Sequence, residues 1–573
     1  MNRWAWFTIC VLLGLLLLAG GWLMPAHLRA IEPSVLQRAG QNSSSLTGRG
    51  MELTHIGQFG AAELVSSAAT RAKLPSAGEL ASSIETDVKR HPEWKAWGVT
   101  GPSLRPYYGL RAYFSKAPAG SDESSFTDFV VREQNRTRAL ATLSASKQPA
   151  VQDLLQTRTL TNTVTFAPSQ AAGGEAFDTA VVITSLLLEQ NRFTPALNDQ
   201  IHSAAVQANH GNPQPLEQIL LDVLSLGQRF NWGQLVTFVG KMDSAATLHA
   251  QADLVRNAGD QLPELFSAVE LSGNPKGVAE YLKTFPKTGM NDLTTALAYN
   301  AGGVRELLRS NHRIYTSPWR QTASEYEPFA GAISLGADYS WRMPGFALIL
   351  KWILYFCGGL LLALALHFGK PPASSLEAPL QVRGFHVARE ILFALGFLLV
   401  VLLVSEPFLA QESPAAALPF RLRVPTVGAA VLSGSTNNKT TFMDKSNWLP
   451  MLLFFVLQAL LYVACIVKLA EIQRQRVGPR VKLKLLKNEE HLFDGGLYLG
   501  FLGTIVSFIV YSVYAKQQFS LMVAYSSTSF GILFVSFFKI FHLRPVSRKL
   551  LLEAEAELPV ATTPVVASSL ATP

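Results

Sequence analysis

The sequence predicts an all-α, polytopic helical membrane protein with a large exported, mainly helical domain. Three observations predict it. Apolar runs of about 20 residues, the length a bilayer requires, recur near the N-terminus and again after residue 342. Only 16% of the 573 residues are charged, against roughly 25% in soluble chains, and the mean hydropathy is +0.21. The Lys and Arg that flank those runs gather on one side of them, as they do where positive charge sets topology. The chain is also too long for one core, since single cores stop growing near about 250–300 residues.

That topology accounts for the net charge of +8. No Arg/Lys stripe interleaved with aromatics and no zinc-finger or RNA-binding pattern accompanies it, so nucleic acid is not an expected partner. Membrane lipid is.

Residues 1–30 read as a signal anchor or a signal peptide. Arg3 precedes a long apolar stretch, Trp4 to Met24, which exceeds a usual signal core. Ala26-His27-Leu28-Arg29-Ala30 is a poor cleavage site, with Leu28 where a small residue belongs. Retention and cleavage both stay open, and either one exports residues 31–342.

Residues 31–342 show helical spacing of apolar residues broken by Gly, Pro and Asn. Phe177 to Gln190 reads as a buried helix, and Leu216 to Leu226 repeats apolar residues at three and four. Asn274-Pro275 opens a helix through Tyr281 and Leu282. Asn300 with Gly302-Gly303 is expected to separate two short helices ahead of Val304 to Leu308. Short helices joined by short breaks predict a solenoid-like array, without a period clean enough to name a repeat. Trp94 to Phe114 reads as turns or a short hairpin.

Chemistry is sparse in this region, and no enzyme, cofactor or metal site is expected. His202 and His210 stand eight residues apart, and His55, His91 and His249 are isolated. There is no HExxH, G-x-S-x-G or phosphate-cradling glycine motif. Glu175, Glu189 and Asp199 are expected to face water. Cys10, Cys357 and Cys465 all fall in hydrophobic segments, so the exported domain has neither a disulfide nor a thiolate zinc site.

The C-terminal spans are expected at 344–368, 389–410, 449–469, 495–514 and 519–541. They divide into helices two and three (343–411), an exported loop (412–448), a three-helix module (449–550) and a disordered cytoplasmic tail (551–573). Three basic groups mark the cytoplasmic side: Lys370, Arg383 and Arg389; Arg474, Arg476, Arg480, Lys482, Lys484 and Lys487; and Arg544, Arg548 and Lys549. Both termini then lie inside. Glu406 reads as the one acid of these spans, exposed at the outer interface, with Pro407 ending its helix.

The module's last two helices carry small and hydroxyl residues. Leu499-Gly500-Phe501-Leu502-Gly503-Thr504 is followed by Ala524-Tyr525-Ser526-Ser527-Thr528-Ser529-Phe530-Gly531-Ile532. Ala524, Thr528 and Gly531 share one helix face. Such a stripe either holds helices together or lines a hydrated path. The pattern L-G-x-L-G-T, then A-x-x-x-T-x-x-G-[LI] and a basic extension, resembles the MotA/TolQ/ExbB family of proton-channel subunits.

The resemblance is strong over about 50 residues and loose over about 100. It implies ion-path roles for Thr504 and Thr528, with Ser527 beside them, and packing roles for Gly500, Gly503, Ala524 and Gly531. It also implies a homo-oligomeric ring in a bacterial inner membrane, around a single-span partner whose helix carries an Asp. No Asp or Glu lies between Gly495 and Leu550, so that acid must come in trans. The chain departs from the family in its short segment between Lys468 and Gly495, its short turn Ala515 to Gln518, its serines around Thr528, and its three extra spans and exported domain.

Two functions are consistent with these features. One is a subunit of a proton-driven energy-transducing complex; the other is a non-enzymatic scaffold whose exported domain docks partner proteins. Solute transport is disfavoured, because no inverted repeat or interrupted helix pair occurs.

Overall fold

A computed structural model describes residues 3–90, 97–99, 125–160, 162–166, 174–369, 385–408, 448–513 and 521–556. The expected exported loop at 412–448 lies almost wholly outside them, as do His91, most of the Trp94–Phe114 stretch and the tail beyond residue 556. The described chain is all-helical, 81% helix and 1% strand. It divides into two units. The first comprises Met1–Arg29 and Met343–Pro573, and the second is Ala30–Arg342.

The first unit opens with α1 (Arg3–Leu23). The second begins with the two-residue strand β1 (Ala30–Ile31), then α2 (Pro33–Gly40), α3 (Leu46–His55), α4 (Phe59–Arg71) and α5 (Ala77–Arg90). It continues with α6 (Phe126–Val131), α7 (Glu133–Leu143), α8 (Pro149–Gln156), α9 (Gly174–Glu189), α10 (Pro195–Asn209), α11 (Gln214–Gly227), α12 (Trp232–Val239) and α13 (Ala245–Ala258). It closes with α14 (Leu262–Ser272), α15 (Pro275–Thr284), α16 (Gly289–Leu297), α17 (Asn300–Ser310), the strand β2 (Arg313–Ile314), α18 (Pro318–Ser324) and α19 (Glu327–Arg342). β1 and β2 pair in parallel.

Local chemistry sets many of these ends. Asn274 caps α15 by accepting from the Gly277 N–H, with Pro275 at the first turn. Asn231 and Gln234 form a capping box on α12. Gly273, at φ +64°, ends α14 in the left-handed conformation that costs glycine little. One core runs through the unit, with Phe126, Phe177, Phe230, Trp232, Phe238 and Phe266 fully buried. The Phe126 and Trp232 rings lie 4.7 Å apart. Burying each such ring contributes about 2–3 kcal/mol.

Gly302 and Gly303 do not break a helix; they lie inside α17. The reason is packing: α17 runs against α2, and a Cβ on Gly302 would overlap the Ala39 carbonyl. Only glycine permits that approach.

The first unit continues with α20 (Pro344–Gly369), α21 (Phe385–Ser405), α22 (Trp448–Arg474), α23 (Pro479–Asn488), α24 (Glu490–Phe493), α25 (Gly495–Val513) and α26 (Leu521–Phe538). A π turn at Lys539–Leu543 joins α26 to α27 (Arg544–Ala556). Among the described residues, four helices are long and apolar enough to cross a membrane: Arg3–Leu23, Pro344–Gly369, Met451–Arg474 and Tyr525–Ala556. α21 and α25 are also apolar, with 21 and 19 residues. α21 ends ahead of Pro407, as a residue without an N–H dictates. The expected tail starts as helix, since α27 runs to Ala556.

α1 packs on α20 through glycines. A Cβ on Gly14 would sit 3.2 Å from the Gly358 carbonyl, and one on Gly21 would sit 2.8 Å from the Tyr355 ring. α22, α25 and α26 pack together, and beyond them α23 lies against α27. Cys465, Leu469, Ile472, Leu486, Phe493, Phe538 and Leu550 form a small core there.

Candidate functional site

The α25–α26 hairpin is built on glycine. A Cβ on Gly500 would lie 2.8 Å from the Ser527 carbonyl oxygen and 3.1 Å from the Thr528 Cα. A Cβ on Gly503 would overlap the Ser527 hydroxyl, and one on Gly531 would crowd the Gly496 carbonyl. Small residues at these points let two backbones touch. The close approach brings three hydroxyls to one carbonyl. Thr504 Oγ1, Ser527 Oγ and Thr528 Oγ1 lie 3.1, 3.2 and 3.2 Å from the Gly500 oxygen, and Thr504 Oγ1 lies 2.5 Å from Thr528 Oγ1.

Three hydroxyl protons cannot all be accepted well by one carbonyl with two lone pairs. The threonine pair relieves this, because one can donate to the other. Ser527 is 1% exposed, whereas Thr504 and Thr528 are half-buried. Their neighbours Leu502, Ile505 and Ile532 are exposed and apolar. The structure therefore brings together Gly500, Gly503, Thr504, Ser527, Thr528 and Gly531, all singled out from sequence. Ala524 lies on α26, and its side chain is outside the described residues.

Sequence reasoning missed Gln458 on α22. It is buried, and its Nε2 donates to the Gly496 carbonyl at 3.0 Å while its Oε1 has no partner. A lone amide in an apolar span was the available signal.

A second polar cluster was also missed, and it corrects the reading of Glu406. That carboxylate is buried, not exposed at an interface. The Lys351 ammonium donates to the Ala26 carbonyl at 2.6 Å and to Glu406 Oε1 at 3.3 Å, and lies 3.3 Å from His27 Nδ1. The Leu28 N–H donates to Glu406 Oε2 at 2.9 Å. The Lys351 and Glu406 side chains are 1% and 3% exposed. Nor is Glu406 the one acid of the C-terminal spans. Glu390, near the start of α21, is buried 3.4 Å from His367 Nδ1.

In the second unit, His202 Nε2 lies 2.8 Å from Asp153 Oδ2, and His249 Nδ1 lies 3.0 Å from the buried Asp222 carboxylate. His249, read as isolated from the sequence, is therefore paired. Glu175 and Asp199 are exposed, but Glu189 is half-buried and accepts from the Ser146 hydroxyl. Among the described residues no group of three or more His, Cys, Asp and Glu could hold a metal. Comparison of the chain with family models, with curated proteins and with solved structures finds no match in any of the three.

Proposed function

We propose that this chain is the channel-type membrane subunit of a proton-driven complex, working as a homo-oligomer with a single-span partner that supplies an acid. In this reading six helices cross a bacterial inner membrane: α1, α20, α21, α22, α25 and α26 with its continuation. The second unit is periplasmic, both termini are cytoplasmic, and the hairpin of α25 and α26 belongs to the MotA/TolQ/ExbB pattern.

One observation carries the proposal. The Thr504 and Thr528 hydroxyls pair where both side chains are half-buried, beside the exposed apolar Leu502, Ile505 and Ile532. Hydroxyl oxygens accept as well as donate. Once their protons are spent on each other and on the Gly500 carbonyl, Thr528 Oγ1 keeps a lone pair. A protonated carboxylic acid on a partner helix is the complementary donor, and it loses that match on releasing its proton.

The test starts from the full chain purified from its native membranes, with co-purifying single-span proteins identified by mass spectrometry. The complex is then reconstituted, and proton uptake under an imposed potential is read with an enclosed pH dye. Thr504→Val and Thr528→Val should abolish uptake at normal protein levels, and serine at either position should retain it. Uptake undiminished in both valine variants rejects the proposal. A chain that captures soluble periplasmic proteins and carries no proton flux is the scaffold of the alternative reading.

A further inference from the structure

The Lys351–Glu406 pair is closed by atoms of the N-terminal segment. Ala26 gives a carbonyl to the ammonium, Leu28 gives an N–H to the carboxylate, and His27 Nδ1 faces both, at 3.3 Å from Lys351 Nζ and 3.6 Å from Glu406 Oε2. Three separate stretches of chain thus meet: the segment just after α1, the first turns of α20 and the residue that follows α21.

With Lys351 and Glu406 both charged, the pair carries no net charge. That is the condition under which ionised groups are tolerated in a low-dielectric bundle. The arrangement is therefore suited to hold these stretches of chain together. The glycine contacts of Gly14, Gly21 and Gly358 point the same way by a different route, since they are shaped for α1 to stay against α20.

We infer that Arg3–Leu23 is a permanent membrane helix of the mature protein, locked to α20 and α21 by the Lys351–Glu406 latch, and that residues 1–29 are not removed as a signal peptide. Without that segment, Lys351 would lose the Ala26 carbonyl and Glu406 would lose the Leu28 N–H, and the lipid would meet a charged pair stripped of its cover. The second unit, which the chain enters at Ala30 and leaves after Arg342, is consequently tethered at both ends.

Two measurements on the full chain test this. With a small epitope after Met1 and another at the C-terminus, membranes should yield one species bearing both tags, with the intact mass of the whole tagged chain. A mature species whose first residue falls between His27 and Glu32 overturns the inference. The latch is tested with Lys351→Met, Glu406→Gln and the double variant, read as membrane-inserted protein level and thermal stability in detergent. Each single variant leaves one charge unpaired and should lower both readings several-fold or by several degrees. The double variant, which leaves no charge, should recover most of the loss. Singles that match the unaltered chain, or a double at least as impaired as the worse single, overturn the latch.

Discussion

Thr504 Oγ1 and Thr528 Oγ1 lie 2.5 Å apart across the α25–α26 contact, and both reach the carbonyl oxygen of Gly500. The pair exists because Gly500 lets two backbones close on each other. Gly500→Val must therefore separate them, since its Cβ alone would approach the Ser527 carbonyl oxygen to 2.8 Å. The expected loss is about 1–3 kcal/mol, the usual cost of overpacking. Cysteines introduced at Thr504 and Thr528 should crosslink readily with Gly500 present and far less with valine there. Equal crosslinking contradicts the close-approach account.

Asp292 gives a pH dependence of unusual sign. The Tyr281 hydroxyl donates to Asp292 Oδ2 at 2.9 Å, and both groups are buried. Burial raises the Asp292 carboxyl above its ordinary range, opposed by the Tyr281 bond, the Arg313 charge and the Ile314 N–H. The folded state then holds this proton to higher pH than the unfolded chain does. The stability it contributes is complete below about pH 4 and falls as pH rises through the raised folded value. Hydrogen exchange of the α16 amides, corrected for intrinsic rates, should show protection declining over that window. Asp292→Asn should flatten the decline. Parallel profiles in the two proteins count against the assignment.

The features legible in the sequence are the local ones. Gly500, Gly503, Thr504, Ser527, Thr528 and Gly531 fall within one hairpin, so helical spacing alone places them on facing sides. The Asn274 cap is local in the same sense. Lys351 and Glu406 are 55 residues apart, and Lys351 and Ala26 are 325 apart. No periodicity links such positions. A usable signal does exist, because a lysine seven residues into an apolar span demands a partner, and Glu406 ends the neighbouring span. The helical array of the second unit is harder to foresee. A solenoid-like stack would set each helix against its chain neighbours, whereas here α2 meets α17 and α19, and α4 meets α14. Gly302 shows why: in sequence it reads as a break, and only the distant Ala39 reveals it as a contact.

Gly302 and Gly331 should respond oppositely to substitution. Gly302→Val would push a side chain into the Ala39 carbonyl, within 3.0 Å of the Gly40 Cα, and should cost about 1–3 kcal/mol. Gly331 lies within α19 with nothing near the position of a Cβ, so Gly331→Ala should stabilise by about 0.5–1 kcal/mol through helix propensity. Limited proteolysis of the full chain, followed at sites within 30–342, reads both. If both variants shift in the same direction, the α2–α17 approach is not what confines Gly302.

Gln458 and Gly496 share one hydrogen bond, and their replacements should differ in severity. Gln458→Leu removes a bond to the Gly496 carbonyl, worth about 1 kcal/mol, but also removes a buried Oε1 that has no partner. Those two effects oppose each other, and an apolar side chain of similar length fits the surrounding span. The net change should stay within about 1 kcal/mol. Gly496→Ala keeps the amide yet places a methyl 2.9 Å from Val535 Cγ2 and 3.0 Å from Gln458 Oε1, so both side chains must shift, and the Gln458 shift strains its bond to the Gly496 carbonyl. It should be the more damaging change, although alanine is the better helix former. Thermal unfolding of the detergent-solubilised chain separates the two. A larger loss from Gln458→Leu than from Gly496→Ala would mean that the amide, rather than the glycine contact, organises the three-helix module.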